Sequence, residues 1–81
     1  MPDTAAYLSK NMREDVLVSL KTGFWIRGKL ESFDRHLNLI LGDAEELIVD
    51  KGERKSIRLG KRVLVRGDMV VAISMPKEVK E

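Results

Sequence analysis

Phe33-Asp34-Arg35-His36-Leu37-Asn38-Leu39, preceded by Leu20-Lys21-Thr22-Gly23 and Gly28-Lys29-Leu30 and answered further along by Val65-Arg66-Gly67-Asp68, decides how this chain is read. Leu37, Leu39 and Leu41 recur at period two directly after Arg35-His36, so that dipeptide reads as a short connection between two strands. Asn38 then points to the face opposite the leucines. Arg66-Gly67-Asp68 reads as a second such connection. His, Asn and Arg therefore stand at the tips of two strand connections, and these are residue types that stack on and read an unpaired nucleobase.

Outward from this stretch, Asp15 to Lys21 alternates, with Val16, Val18 and Leu20 on one side, which predicts a half-buried strand. Thr22-Gly23 turns into a second strand, Phe24 to Asp34, with Gly28 marking a bend where another backbone passes closely. A third strand runs to about Val49 and gives way to the polar stretch Asp50 to Lys55. Ile57 to Val65 forms the fourth, with Gly60 as a second bend, and Met69 to Ser74 the fifth. Upstream, Pro2-Asp3-Thr4 caps a short helix over about residues 3–12, whose Leu8 and Met12 share a face. Downstream, Met75-Pro76 ends the last strand, and residues 76–81 read as a flexible tail. A helix followed by five short strands with glycine bends describes a mainly β fold, a strongly bent five-stranded antiparallel SH3-like barrel spanning residues 1–81 as one domain.

Composition bounds the function. At 81 residues a single core gives marginal stability, so a staple or an oligomer is expected. Without cysteine there are no disulfides or thiolate zinc sites, and one His leaves no transition-metal constellation, so neither metal nor cofactor is expected. No apolar run approaches the ~18 residues of a membrane span, which makes the cytoplasm the default compartment. The net charge of +2 is small but uneven. Asp43, Glu45, Glu46 and Asp50 form an acidic block, followed by Lys51, Arg54, Lys55, Arg58, Lys61, Arg62 and Arg66 with Glu53 among them. That run reads first as a solvated, ion-paired surface and second as a phosphate-attracting one.

Catalysis fails on inventory. Gly52 and Gly60 are too far apart for a phosphate loop, Gly60-Lys61 is followed by Arg62 instead of Ser or Thr, and no His and carboxylate pair accompanies a nucleophile. Asp34 lies two residues from His36 but reads as orienting the loop. Val63-Leu64-Val65 and Val70-Val71-Ala72-Ile73 are apolar on both faces, which one small barrel cannot cover. Pairing the edge of one copy with the edge of the next solves this, and such a head-to-tail contact closes into a ring.

The two-part pattern, carried by Asp34, His36, Asn38, Arg66, Gly67 and Asp68 over roughly residues 14–41 and 61–74, resembles the signature of the Sm and Sm-like (LSm) family. It is closest to the archaeal branch, since the bacterial branch typically has a Lys-His pair where this chain has Arg66-Gly67-Asp68. The resemblance implies the Sm fold and a homo-oligomeric ring, usually a heptamer with a hexamer as the alternative. It also implies capture of single-stranded U-rich RNA at the pore, in RNA processing, turnover or chaperoning. His36, Asn38 and Arg66 are then the RNA-binding residues, with His36 and Arg66 stacking and Asn38 reading the base edge, while Asp34, Gly67 and Asp68 support them. Asp68 is expected to fix the Asn38 amide by accepting a hydrogen bond from it or from Arg66, and Gly67 to serve as a turn glycine with positive φ. A charge at Val71 or Val65 is expected to break the ring. The long basic segment Lys51 to Arg62 departs from the pattern, and Arg54 and Lys55 are candidate peripheral RNA contacts. Tyr7 and Lys10 read first as packing and solubility residues and second as a lateral RNA contact. Phe24 and Trp25 read as core or subunit-contact residues. The rivals are a ring-shaped assembly scaffold without pore RNA binding and a monomeric SH3-like peptide-binding module.

Overall fold

The computed structural model describes residues 4–75. Helix α1 (Thr4–Lys10) precedes five strands, β1 (Asp15–Leu20), β2 (Trp25–Phe33), β3 (Leu39–Asp50), β4 (Glu53–Val65) and β5 (Val70–Ser74). A single 3₁₀ turn, Gly67–Met69, leads into β5. The strands form one antiparallel sheet in the order β4-β3-β2-β1-β5. Its two edges, β4 and β5, are joined in sequence by Arg66 and the 3₁₀ turn and are not bonded to each other. The Pro2-Asp3 part of the expected cap and the tail at 76–81 lie outside the described residues.

Alternation builds the core. Val16 and Val18 of β1, Ile26 and Leu30 of β2, Leu39 and Leu41 of β3 and Val65 of β4 all turn inward and are buried. Leu8 of α1 is buried with them, and Met12 packs alongside. The helix stops at Lys10, two residues short of the expected end, because Asn11 folds back. Its Nδ2 donates to the Tyr7 carbonyl at 2.9 Å, and its own N–H reaches Leu8 O at 3.0 Å. The next residues are tied to β2, with Arg13 N–H donating to Leu30 O at 2.7 Å and Leu30 N–H to Glu14 O at 3.0 Å. Asn11 is buried and hydrogen-bonded, a helix-end role that hydropathy does not reveal.

Gly28 behaves as its position predicts. A Cβ there would lie 3.0 Å from the Leu41 side chain and 3.1 Å from Gly42 O, so glycine lets β2 and β3 approach closely without displacing either where the register jumps between Arg27 and Lys29. Near Gly60 the β3–β4 register also shifts, leaving Leu59 as the extra residue. The expected break at Asp50 to Lys55 is absent from Glu53 onward. β4 begins at Glu53, and only Lys51 and Gly52 separate it from β3. Both have positive φ, 52° and 82°, the pattern of a two-residue hairpin turn that suits the right-handed twist of the strands. β3 and β4 therefore form a ribbon that continues past Trp25↔Leu47, the last pair that β2 makes with β3.

Candidate nucleic-acid interface

Two turns meet at one end of the sheet. In the first, between β2 and β3, Leu37 N–H donates to Asp34 O at 3.0 Å and Asp34 N–H to Asn38 O at 3.1 Å, closing a tight loop with Arg35 and His36 at its tip. The Asp34 carboxylate fills the loop from inside. Its Oδ1 accepts from His36 N–H at 2.9 Å and Asn38 N–H at 3.0 Å, and its Oδ2 accepts from Asn38 Nδ2 at 3.0 Å. These bonds, led by the Asn38 side-chain amide and helped by the nearby His36, hold the carboxyl below the usual aspartate range. Leu37 takes a left-handed conformation, φ 62°, with its side chain against the core. The network holds a backbone state that L residues rarely adopt.

The second turn docks on the first through Gly67. Its N–H donates to Asn38 Oδ1 at 2.7 Å. A Cβ on Gly67 would overlap the His36 carbonyl oxygen and lie 2.9 Å from the Leu37 carbonyl carbon. The expected reason for this glycine is thus corrected: it is absent from the positive-φ residues, and close approach of two main chains excludes a side chain. The expected contact from Asp68 to Asn38 is also corrected. Asp68 Oδ2 accepts from Arg66 Nη2 at 3.0 Å, the other expected partner, while Asn38 is fixed from both sides by Asp34 and Gly67. The Arg66–Asp68 pair is largely exposed, so it orients the guanidinium with little effect on stability.

The pinned amide has a fixed polarity. Its oxygen faces the Gly67 N–H and its nitrogen faces the Asp34 carboxylate, leaving one N–H and one lone pair for a ligand. A flip would set donor against donor and acceptor against acceptor. His36 and Arg66, both exposed, supply two flat groups on the two connected turns. The structure thus brings Asp34, His36, Asn38, Arg66, Gly67 and Asp68 into one cluster. Arg35, not singled out from the sequence, shares the exposed tip beside His36 and makes no ion pair among the described residues.

The remaining candidates lie elsewhere. Tyr7 and Lys10 are exposed on α1, and neither lines the cleft of about 320 Å³ between α1 and the first turn. Arg54 and Lys55 stand at the far end of β4 from Arg66. Phe24 and Trp25 are not core residues. They are 51% and 42% exposed, on a broad depression bordered by Leu47, Val49 and Arg54. Their place at a strand start hid this, because Trp25 faces outward in the row Ser19, Trp25, Leu47, Ser56.

Comparison with known proteins follows the same lines. The family model for the LSM domain matches residues 6–75. An snRNP Sm-like protein of Aeropyrum pernix is 56% identical over 59 residues, covering 73% of this chain and 70% of that protein. One of Pyrococcus abyssi is 45% identical over 71 residues, covering 88% and 89%. Among solved structures, a heptameric archaeal Sm protein superposes with a TM-score of 0.72 at 41% identity, over 86% of this chain and 96% of that one. The Pyrococcus abyssi Sm protein in complex with a uridine heptamer superposes with a TM-score of 0.76 at 38% identity, over 90% and 97%.

Proposed function

Because this chain belongs to the LSM domain family, we propose that seven copies close into a ring and hold U-rich single-stranded RNA at its pore, without catalysis, in RNA processing or turnover. The observation that carries the reading is the Asn38 amide pinned between the Asp34 carboxylate and the Gly67 N–H, with His36 and Arg66 on the two turns it joins. Its free N–H donates to O4 of uracil and its free lone pair accepts N3–H. Cytosine offers the reverse order, an amino donor at C4 and an acceptor at N3. Reading cytosine would require the flip that the two supports oppose, so the amide prefers uracil. The His36 ring and the Arg66 guanidinium stack on the base faces, and Arg35 at the turn tip attracts the phosphates.

The heptameric archaeal Sm protein and the uridine-heptamer complex of its Pyrococcus abyssi relative support both parts of this reading. So does the sheet itself. Its edges expose Leu64 (62%) on β4 and Val71 (63%) on β5, and pairing these strands between copies covers both. The test is oligouridine binding to His36→Ala and Arg66→Ala proteins whose assembly is verified by light scattering. Each substitution removes roughly 1–3 kcal/mol of stacking per base, repeated at every protomer, so affinity collapses while the ring persists. Unchanged affinity in an assembled variant would remove these turns as the RNA site.

A further inference from the structure

Among the described residues the longest unpaired edge belongs to β4, whose thirteen residues, Glu53–Val65, face no described strand on their outer side. The bulge at Leu59 divides it. Beyond the bulge lies Lys61–Val65, which includes the exposed Leu64 and matches the five residues of β5, Val70–Ser74. On the proposed ring reading, a neighbour's β5 occupies that part. It is too short to cover the rest, so Glu53–Arg58 keeps its main-chain donors and acceptors free even in the assembled ring.

This free segment has a defined chemistry. Arg54, Ser56 and Arg58 share the outer face, being opposite Val49, Leu47 and Glu45, in the rows that hold Trp25 and Arg27. Ile57 lies on the inner face, in the row of Ile26 and Glu46, yet remains 50% exposed. Arg54 and Lys55 make no ion pair among the described residues, and Arg58 only a loose one to Asp43 at 3.5 Å. A second copy of this edge is a poor occupant, because antiparallel self-pairing centred on Ser56 would set Arg54 against Arg58 twice. Nucleic acid satisfies the phosphate-binding charges but leaves the main-chain groups and Ile57 unanswered.

We propose that the outer edge Glu53–Arg58 is a docking site for an extended acidic protein segment that adds a sixth strand to the sheet. Main-chain hydrogen bonds supply affinity, and alternate side chains supply specificity. Carboxylates on the outward-facing side meet Arg54 and Arg58, while apolar residues on the other side cover Ile57. The required pattern is an alternation of Asp or Glu with Val or Ile. The site lies the length of β4 from the two turns, so the ring can hold RNA and the acidic segment together.

The experiment uses the assembled protein and a fluorescein-labelled heptapeptide of alternating Glu and Val, read by anisotropy and by hydrogen exchange. Expected are saturable binding, slowed exchange at residues 53–58, and a roughly tenfold loss of peptide affinity in Arg58→Glu. His36→Ala rings are expected to lose oligouridine and keep the peptide. A block peptide of the same composition binding equally well, or no protection at 53–58, would overturn the proposal. Protection of 53–58 by oligouridine alone would assign the edge to RNA, and a doubled particle mass without peptide would assign it to a second ring; either overturns the proposal. A 9.2 kDa species that ignores oligouridine yet still takes the alternating peptide would sink the ring reading and leave the edge proposal standing.

Discussion

Asp34 accepts two main-chain N–H groups and one side-chain amide in a turn that solvent reaches, so its effect is on order and direction more than on buried energy. The sign of its pH dependence follows from its depressed pKa. A group more acidic in the folded state contributes fully above its unfolded value, and that contribution is lost as pH falls through the folded one. Carboxyl NMR of Asp34 is expected to titrate below the ordinary aspartate range. Asn38→Ala, which removes the main cause, is expected to move the midpoint upward; an unmoved midpoint would mean that the turn main chain alone sets it. Gly67→Ala forces a Cβ onto the His36 carbonyl and should cost about 1–3 kcal/mol of stability by overpacking, with oligouridine affinity falling alongside. Asp68→Ala reorients Arg66 alone, so it is expected to weaken binding while keeping uridine over cytidine. Asp34→Ala, which frees the Asn38 amide to flip, is expected to erode that preference by about 1 kcal/mol per site if one hydrogen bond is involved. Paired titrations with oligouridine and oligocytidine separate the two. The sequence disclosed which residues cluster here through the two-part spacing it shares with the LSm family, because His36 or Asn38 taken alone reads equally well as an ordinary turn residue. It did not disclose who holds whom: Asp34 and Gly67 orient Asn38 through contacts set by the meeting of two turns distant in sequence.

At the scale of strands, period-two alternation was enough to find β1, β2 and the start of β3, since each buries one face. The outer half of β4 was not legible that way. Its residues are exposed on both faces, so no apolar alternation marks them, and pairing with β3 is what makes them a strand. The signal that was available is the two-residue turn Lys51-Gly52 between Asp50 and Glu53. Burial also separates two valines that look alike in the sequence. Val71 is 63% exposed on β5, whereas Val65 is 4% exposed and belongs to the core. The expectation that a charge at either would break the ring is therefore revised. Val71→Glu and Leu64→Glu should give folded monomers with native circular dichroism, because the charge enters only the contact between copies. Val65→Glu should unfold the chain, since a buried unpaired carboxylate costs several kcal/mol. A folded Val65→Glu ring would contradict this assignment of the core.

For the whole molecule, the open sheet connects oligomer and ligand. Pairing β4 with a neighbour's β5 buries apolar edges that a lone copy exposes, and Arg66, Gly67 and Asp68 lie in the short link between those two strands. In the proposed ring that contact would flank the turns that carry the proposed site, and each added copy would repeat it, so a bound strand would gain from effective concentration as well as from each base. The heptamer number rests on relatives and not on any property of one chain. Native mass spectrometry of the protein with equal amounts of a uridine heptamer and a cytidine heptamer reads both quantities together. The account predicts a particle of seven 9.2 kDa chains carrying the uridine strand in preference to the cytidine strand. A bare monomer, or a ring that takes up both strands equally, would contradict it.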